Sequence, residues 1–258
     1  MADDSTHVLT EIRDRVYCIT INRPEKKNAL SNAMYQALTH ALETADSDDA
    51  VRAIFIAGAG DCFCSGNDVM DFLMSPPADE STPVFTFLLA LCDVRKPLVA
   101  AVNGAAVGIG TTMLLHCDLA YASEQARFRM PFVNLGLCPE AGSSLLVPLL
   151  MGHRRAAQYL LLGEEFDAAT ARELGLVNGV FPADELHEAA FAVAKRLTEL
   201  PPHAVRTTKA LLKRGQNQIL RETILEEGGH FMTCLRSPEA AEALQAFLQH
   251  RKPDFSAF

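Results

Sequence analysis

The chain contains no tryptophan and only four tyrosines in 258 residues, so large aromatic surfaces must come from its 14 phenylalanines. Positive charge is short as well: 23 Lys and Arg stand against 32 Asp and Glu, for a net charge of −9. That balance disfavours nucleic acid or an anionic membrane as the main partner, and leaves room for a local basic site facing an anionic ligand. Long apolar runs are missing too. The longest stretches are 97–115 and 145–152, and the first is broken by Asn103, Gly104, Gly108, Gly110, Thr111 and Thr112, so no membrane span is expected. The acidic start, MADDSTHVLTEIRD, has no basic-then-apolar leader pattern, and Ser256-Ala257-Phe258 is no peroxisomal tripeptide; a cytoplasmic protein is expected. The seven cysteines (Cys18, Cys62, Cys64, Cys92, Cys117, Cys138, Cys234) are odd in number and lack C-x-x-C spacing. They read as reduced, buried thiols, with no metal site. Neither a G-x-S-x-G elbow nor a G-K-[ST] loop occurs, which removes the serine-hydrolase and nucleotide-triphosphatase readings that depend on them.

What is present is enough apolar material for a sizeable core: 49% of residues are hydrophobic and the mean hydropathy is +0.09. Residues 16–22 (VYCITIN) alternate and are β-branched, which predicts a strand, followed by a loop at 23–28. Behind a Ser31 cap, Met34, Leu38, Ala41, Leu42 and Ala45 recur at helical spacing. Further strands are predicted at 51–57, 97–102, 119–122 and 126–130, with a helix at 109–116. From His153 the pattern is helical apart from a short strand at 177–181, so an α/β core with a helical C-terminal part is expected. The loop at 74–83 (MSPPADESTP) is the one expected to be mobile.

Two glycine-rich turns follow predicted strands, one at 63–69 (FCSGNDV) and one at 103–110 (NGAAVGIG). The second has the look of a dinucleotide turn, but the Tyr-x-x-x-Lys pair that would accompany it in short-chain dehydrogenases is missing: Gln125 follows Tyr121 and Gly163 follows Tyr159 at that spacing. Lying side by side, the two turns could each offer a backbone N–H to one ligand oxygen, the second with a helix N-terminus behind it. The alternative is that the glycines only permit tight turns. His116-Cys117-Asp118 reads as core rather than as a triad, since adjacent side chains point apart. Glu140 precedes a helix that Ser143 or Ser144 is expected to cap, with Phe132, Val133, Leu135, Leu137 and Leu145 as apolar neighbours. Such a carboxylate, ionised yet poorly solvated, suits a general base; the plainer reading is a first-turn acid complementing the helix dipole.

Taken together, RPEKKNAL at 23–30, GAGDCFCSGNDV at 58–69, KPLVAAVNGAAVGIGTTMLLHCDLAYAS at 96–123, ARFRMPFVNLGLCPEAGSS at 126–144 and HRKPDF at 250–255 resemble the crotonase (enoyl-CoA hydratase/isomerase) superfamily over nearly the whole chain. The resemblance implies an α/β spiral of β-β-α turns, here 1–195, and a C-terminal helical oligomerisation region, 196–258, building a homotrimer or a dimer of trimers. It implies an acyl-CoA thioester as substrate, with oxyanion-hole amides at Asn67 and Ile109. The coenzyme A moiety would run along Lys27, Ala29, Leu30, Ser65, Gly66, Asn67, Asp68 and Val69, near Gly108 and Phe132, with Lys252 of the tail as a further phosphate contact. Asp68 and Asp71 would serve the turn structurally.

The chain departs from the hydratase branch at two positions where glutamates flank the substrate; these read Thr112 and Phe132. Water addition needs groups for both water and the α-proton. Glu140, in PEAGSS, instead matches the carboxylate of the Δ3,Δ2-enoyl-CoA isomerase branch of peroxisomal type, where one base suffices. The expected reaction shifts a 3-enoyl-CoA double bond to 2-trans-enoyl-CoA, with no metal or redox cofactor and an acyl pocket formed by Phe72, Leu73 and Phe132. Hydration, thioester hydrolysis and non-catalytic acyl-CoA binding are the alternatives.

Overall fold

The computed structural model describes residues 7–249 and 251–258. The stretch 1–6, part of the start read for a leader pattern, and His250 of the last motif lie outside the described residues. β1 (Val8–Arg13) and β2 (Val16–Ile21) form an antiparallel pair ahead of α1 (Asn32–Ser47). Three rounds of long strand, short strand and helix follow: β3 (Ala53–Gly58), β4 (Cys62–Cys64), α2 (Val69–Met74) and α3 (Pro83–Asp93); β5 (Leu98–Val102), β6 (Ala105–Val107) and α4 (Ile109–Thr112); then β7 (Leu119–Ser123), β8 (Arg127–Arg129) and α5 (Ser143–Met151). Within these rounds long strands pair with long strands and short with short. The result is a six-stranded sheet and a four-stranded sheet, in which β3, β5 and β7, and β4, β6 and β8, are parallel neighbours. Each round therefore climbs one strand in both sheets at once, the crotonase spiral that the resemblance implies.

The chain continues through α6 (His153–Leu162), β9 (Glu165–Asp167), α7 (Ala168–Glu173), β10 (Gly179–Phe181), α8 (Leu186–Glu199), α9 (Pro202–Lys213), α10 (Asn217–Leu235) and α11 (Pro238–Leu248). Period-two alternation divides the core. Leu98, Ala100 and Val102 face the main cluster with α1 and α3, while Val99 and Ala101 pack with Phe55 and Phe191 towards α8. Both faces of β5 are covered, which is why its sequence, LVAAV, reads as one apolar run. α1 starts as expected, with Ser31 Oγ accepting from Met34 N at 3.3 Å.

Five elements differ from the sequence-based expectation. β1 has one buried residue, Val8, and no strong apolar pattern to announce it; β4, β6 and β9 have three residues each, too few for a periodicity to register. The helix expected at 109–116 is α-helical only to Thr112 and tightens into a 3-10 turn over Met113–His116. Among the C-terminal apolar residues, Ile224 and Leu244 turn inward, whereas Leu211 and Leu212 are exposed, Leu212 at 78%. Among the described residues, no helix is long and apolar enough to cross a membrane.

Candidate active site

The two glycine-rich turns do lie side by side. β4 pairs with β6, so that a Cβ at Gly110 would stand 2.3 Å from the Cys64 carbonyl oxygen, and one at Gly66 3.2 Å from that of Val107. Glycine is required at 110 because two backbones approach there. Gly110→Ala must push the turns apart. We expect the variant to melt several degrees lower, read by calorimetry; a wild-type melting temperature would contradict the contact.

The first turn is stitched to the loop before α1. Ser65 N donates to Lys27 O at 3.1 Å, Leu30 N to Gly66 O at 2.8 Å and Asp68 N to Leu30 O at 2.9 Å. In this parallel bridge Leu30 bonds to the residues on either side of Asn67, which turns the Asn67 N–H away from the pairing. Asn28, wholly buried, ties the same loop to the β3–β4 turn by donating to Ala59 O and Cys62 O at 2.9 and 2.6 Å. Asp68 caps α2 and pairs with Arg23 at 2.7 Å, and Asp71 accepts from Asn32 N, the structural duties expected of them. The candidate group Lys27, Ala29, Leu30, Ser65, Gly66, Asn67, Asp68 and Val69 thus forms one continuous rim. Ile109 opens α4 behind Gly108, and as the first residue of a helix its N–H has no intrahelical acceptor.

Glu140 lies before α5 rather than in its first turn and is 7% exposed. Burial, with a smaller push from Glu227, raises its carboxyl to about 8 against the opposing hydrogen bond from Thr112. Its surroundings therefore favour the acid form more than the sequence-based expectation of an ionised carboxylate allows. The Thr112 hydroxyl donates directly to Glu140 Oε1. The residue read as a missing acid is therefore the partner of the one present.

Behind Glu140 the backbone is strained. Ala141 has φ of 61° and Gly142 72°, and the left-handed region costs an L-residue about 1 kcal/mol or more. The His116 ring donates from Nε2 to the Ala141 carbonyl at 2.8 Å. Because a carbonyl only accepts, Nε2 carries the proton and Nδ1 faces the Cys92 thiol at 3.7 Å. Burial first, then the nearby Lys213 and Lys209 charges, lowers this histidine to about 4, so it is neutral. The expected serine cap is also corrected: Ser143 Oγ is buried without a hydrogen-bond partner, and the start of α5 is capped by the Glu227 carboxylate of α10. The two oxygens of the Glu227 carboxylate each take one N–H, from Gly142 and Ser144.

Asn67 and Glu140 line one apolar pocket with Phe72, Val84, Phe85, Leu88, Ile224 and Phe231. Of the three residues expected there, only Phe72 takes part. Leu73 is 44% exposed, and Phe132 packs its ring edge towards Gly108 instead. Tyr35, buried beneath, donates to Asn67 Oδ1 and fixes that amide's orientation. Lys27 extends into solvent bonded to Asp61 at 2.8 Å. Lys252 is exposed on a tail held to α11 through Arg251 and Glu242; no hydrogen bond or ion pair among the described residues joins it to the rest of the site.

A buried acid beside two backbone turns, within a double-sheet spiral, is an arrangement of the crotonase class. The chain belongs to the enoyl-CoA hydratase/isomerase family, whose profile matches residues 11–257. It is 38% identical over 98% of its length to enoyl-CoA delta isomerase 2 of Rattus norvegicus, of which it spans 66%. It is 33% identical over 97% of its length to the 2,3-dehydroadipyl-CoA hydratase of Escherichia coli K12, of which it covers 98%. The solved structure of Pseudomonas aeruginosa OdaA superposes with a TM-score of 0.92 at 47% identity, covering 94% of this chain and 98% of that one.

Proposed function

We propose that this chain is a Δ3,Δ2-enoyl-CoA isomerase that moves the double bond of a 3-enoyl-CoA to give 2-trans-enoyl-CoA. The observation that carries this reading is the single carboxyl among the residues that line the pocket: Glu140 faces it alone, with Thr112 and Phe132 where hydratases place acids. In its ionised form Glu140 removes a C2 proton. Charge moves to the thioester oxygen, where the N–H groups of Asn67 and Ile109 meet the dienolate, and the protonated carboxyl returns the proton at C4. Atoms and charge balance without a redox cofactor or metal. Donors aimed at the enolate oxygen stabilise the transition state more than the ketone-like ground state. A base whose pKa is raised towards 8 by burial is better matched to a weakly acidic C–H than an ordinary carboxylate.

Lys27 is assigned to the phosphates of coenzyme A, exchanging Asp61 for them, and the exposed Leu211, Leu212 and Ile219 support assembly as a homotrimer. Purified protein offered both substrates should isomerise 3-enoyl-CoA at least about ten times faster than it hydrates 2-trans-enoyl-CoA, for want of a second acid. Faster hydration overturns the assignment.

A further inference from the structure

We propose that Glu227 and His116 are positioning residues for Glu140, clamping the strained turn behind it from opposite sides, so that the C-terminal helical layer fixes where the base stands. The inference rests on the reading of Glu140 as the proton shuttle. Its geometry is independent of that reading. Glu227 Oε2 accepts from Gly142 N at 2.6 Å and Oε1 from Ser144 N at 2.8 Å, and His116 Nε2 holds the carbonyl of Ala141 at 2.8 Å. The 141–142 peptide is thereby held at both its C=O and its N–H, and the 143–144 peptide at its N–H, by two buried side chains, one from α10 and one from the 3-10 turn after α4. Between them Ala141 and Gly142 keep left-handed backbone conformations, and a side chain at 142 would strike Leu220 of α10 at 2.2 Å. At Ala141, which carries a Cβ, such a conformation persists only where surroundings over-determine it. A carboxylate 85 residues away in sequence is an unusual helix cap, and this one is buried at a cost that a solvent-exposed serine would not incur.

The groups facing Glu140 are few. Thr112 bonds to it from α4, Tyr35 and Cys64 lie within electrostatic range from α1 and β4, neutral His116 stands behind Ala141, and Glu227 contributes the facing negative charge from α10. Glu226 is the like charge next to Glu227 itself. Glu227 therefore acts twice: its oxygens hold the turn, and its charge disfavours ionisation of Glu140.

The test measures isomerisation of 3-enoyl-CoA across pH by Glu227→Gln, Glu227→Asp, His116→Leu, His116→Gln and Glu140→Gln. Glutamine at 227 offers one acceptor and one donor where two N–H groups need acceptors. Plateau kcat per folded site should fall about tenfold or more with KM within about twofold, the signature of a misplaced base. The kcat/KM inflection should also move to lower pH as the negative charge is lost. His116→Leu should lower plateau kcat similarly and leave the inflection in place, since the ring is neutral. His116→Gln, whose amide can reach the Ala141 carbonyl, should recover most of the loss, and Glu227→Asp should keep the wild-type inflection. Hydrogen exchange at Gly142 and Ser144 gives a readout without activity: both amides should lose protection in Glu227→Gln. If the variants lose only folded fraction, with plateau kcat, inflection and exchange unchanged, the clamp is wrong. If Glu140→Gln itself stays active, the isomerase reading has failed while the exchange result still judges the clamp.

Discussion

Glu140→Gln should lower kcat for 3-enoyl-CoA isomerisation by at least about two orders of magnitude, the usual scale for a lost general base. The substitution keeps the shape of the side chain and leaves an oxygen to accept the Thr112 hydroxyl. What it removes is the capacity to take a proton from C2 and release it at C4. Affinity for the thioester should change little, because the Asn67 and Ile109 turns are held by backbone bonds that do not involve Glu140. The measurement is a pre-steady-state or steady-state assay with a 3-enoyl-CoA, alongside calorimetric titration with a saturated acyl-CoA. Loss of turnover with retained binding fits the proposed shuttle. A variant with more than about a third of wild-type kcat would place the base elsewhere.

The sequence made Glu140 visible because a short motif, PEAGSS, sets it among apolar residues, and it made the turns visible because close backbone approach demands glycine at Gly66, Gly104 and Gly110. The helix over Asn32–Ser47 and the strands β2, β3, β5 and β7 were legible for a different reason: each buries a full face and so carries a period. What could not be read is what depends on tertiary partners. Glu227 lies in the middle of a helix among other acids, where nothing local distinguishes a buried cap from a solvated surface carboxylate. Tyr35 sits on the apolar stripe of α1 and looks like core, which it also is; its hydroxyl matters only because Asn67 arrives from another turn. His116 reads as core from its apolar neighbours and is buried, yet its bond to Ala141 follows from the packing of the 3-10 turn after α4 against the residues preceding α5. The lining of the apolar pocket is legible only in part for the same reason. Phe72 and Leu73 are neighbours in α2, and only the docking of α10, which brings Phe231 to 5.9 Å from Phe72, decides which of them faces inward.

The same substitution should stabilise the protein, increasingly so as pH rises. Glu140 is raised from an ordinary value of 4.5 to about 8 in the folded state, with burial as the main cause. Below pH 4.5 the carboxyl is protonated in both folded and unfolded chains and contributes no penalty. Between 4.5 and 8 the unfolded chain releases its proton while the folded protein retains it, so stability falls as pH rises; above 8 the full penalty applies. A difference of that size corresponds to a cost on the order of 5 kcal/mol at high pH. Glutamine carries no charge and escapes it, at the expense of about 1 kcal/mol for an amide N–H that the apolar pocket leaves without a partner. Wild type and Glu140→Gln should therefore melt within a few degrees of each other at pH 5. At pH 9 the variant should melt roughly 10 °C higher, at the few degrees per kcal/mol usual for chains of this size. Paired calorimetric scans at the two pH values decide it. Parallel pH dependences would mean that Glu140 ionises freely in the folded protein, and the pocket would then be wetter than its lining of Phe72, Phe85, Ile224 and Phe231 implies.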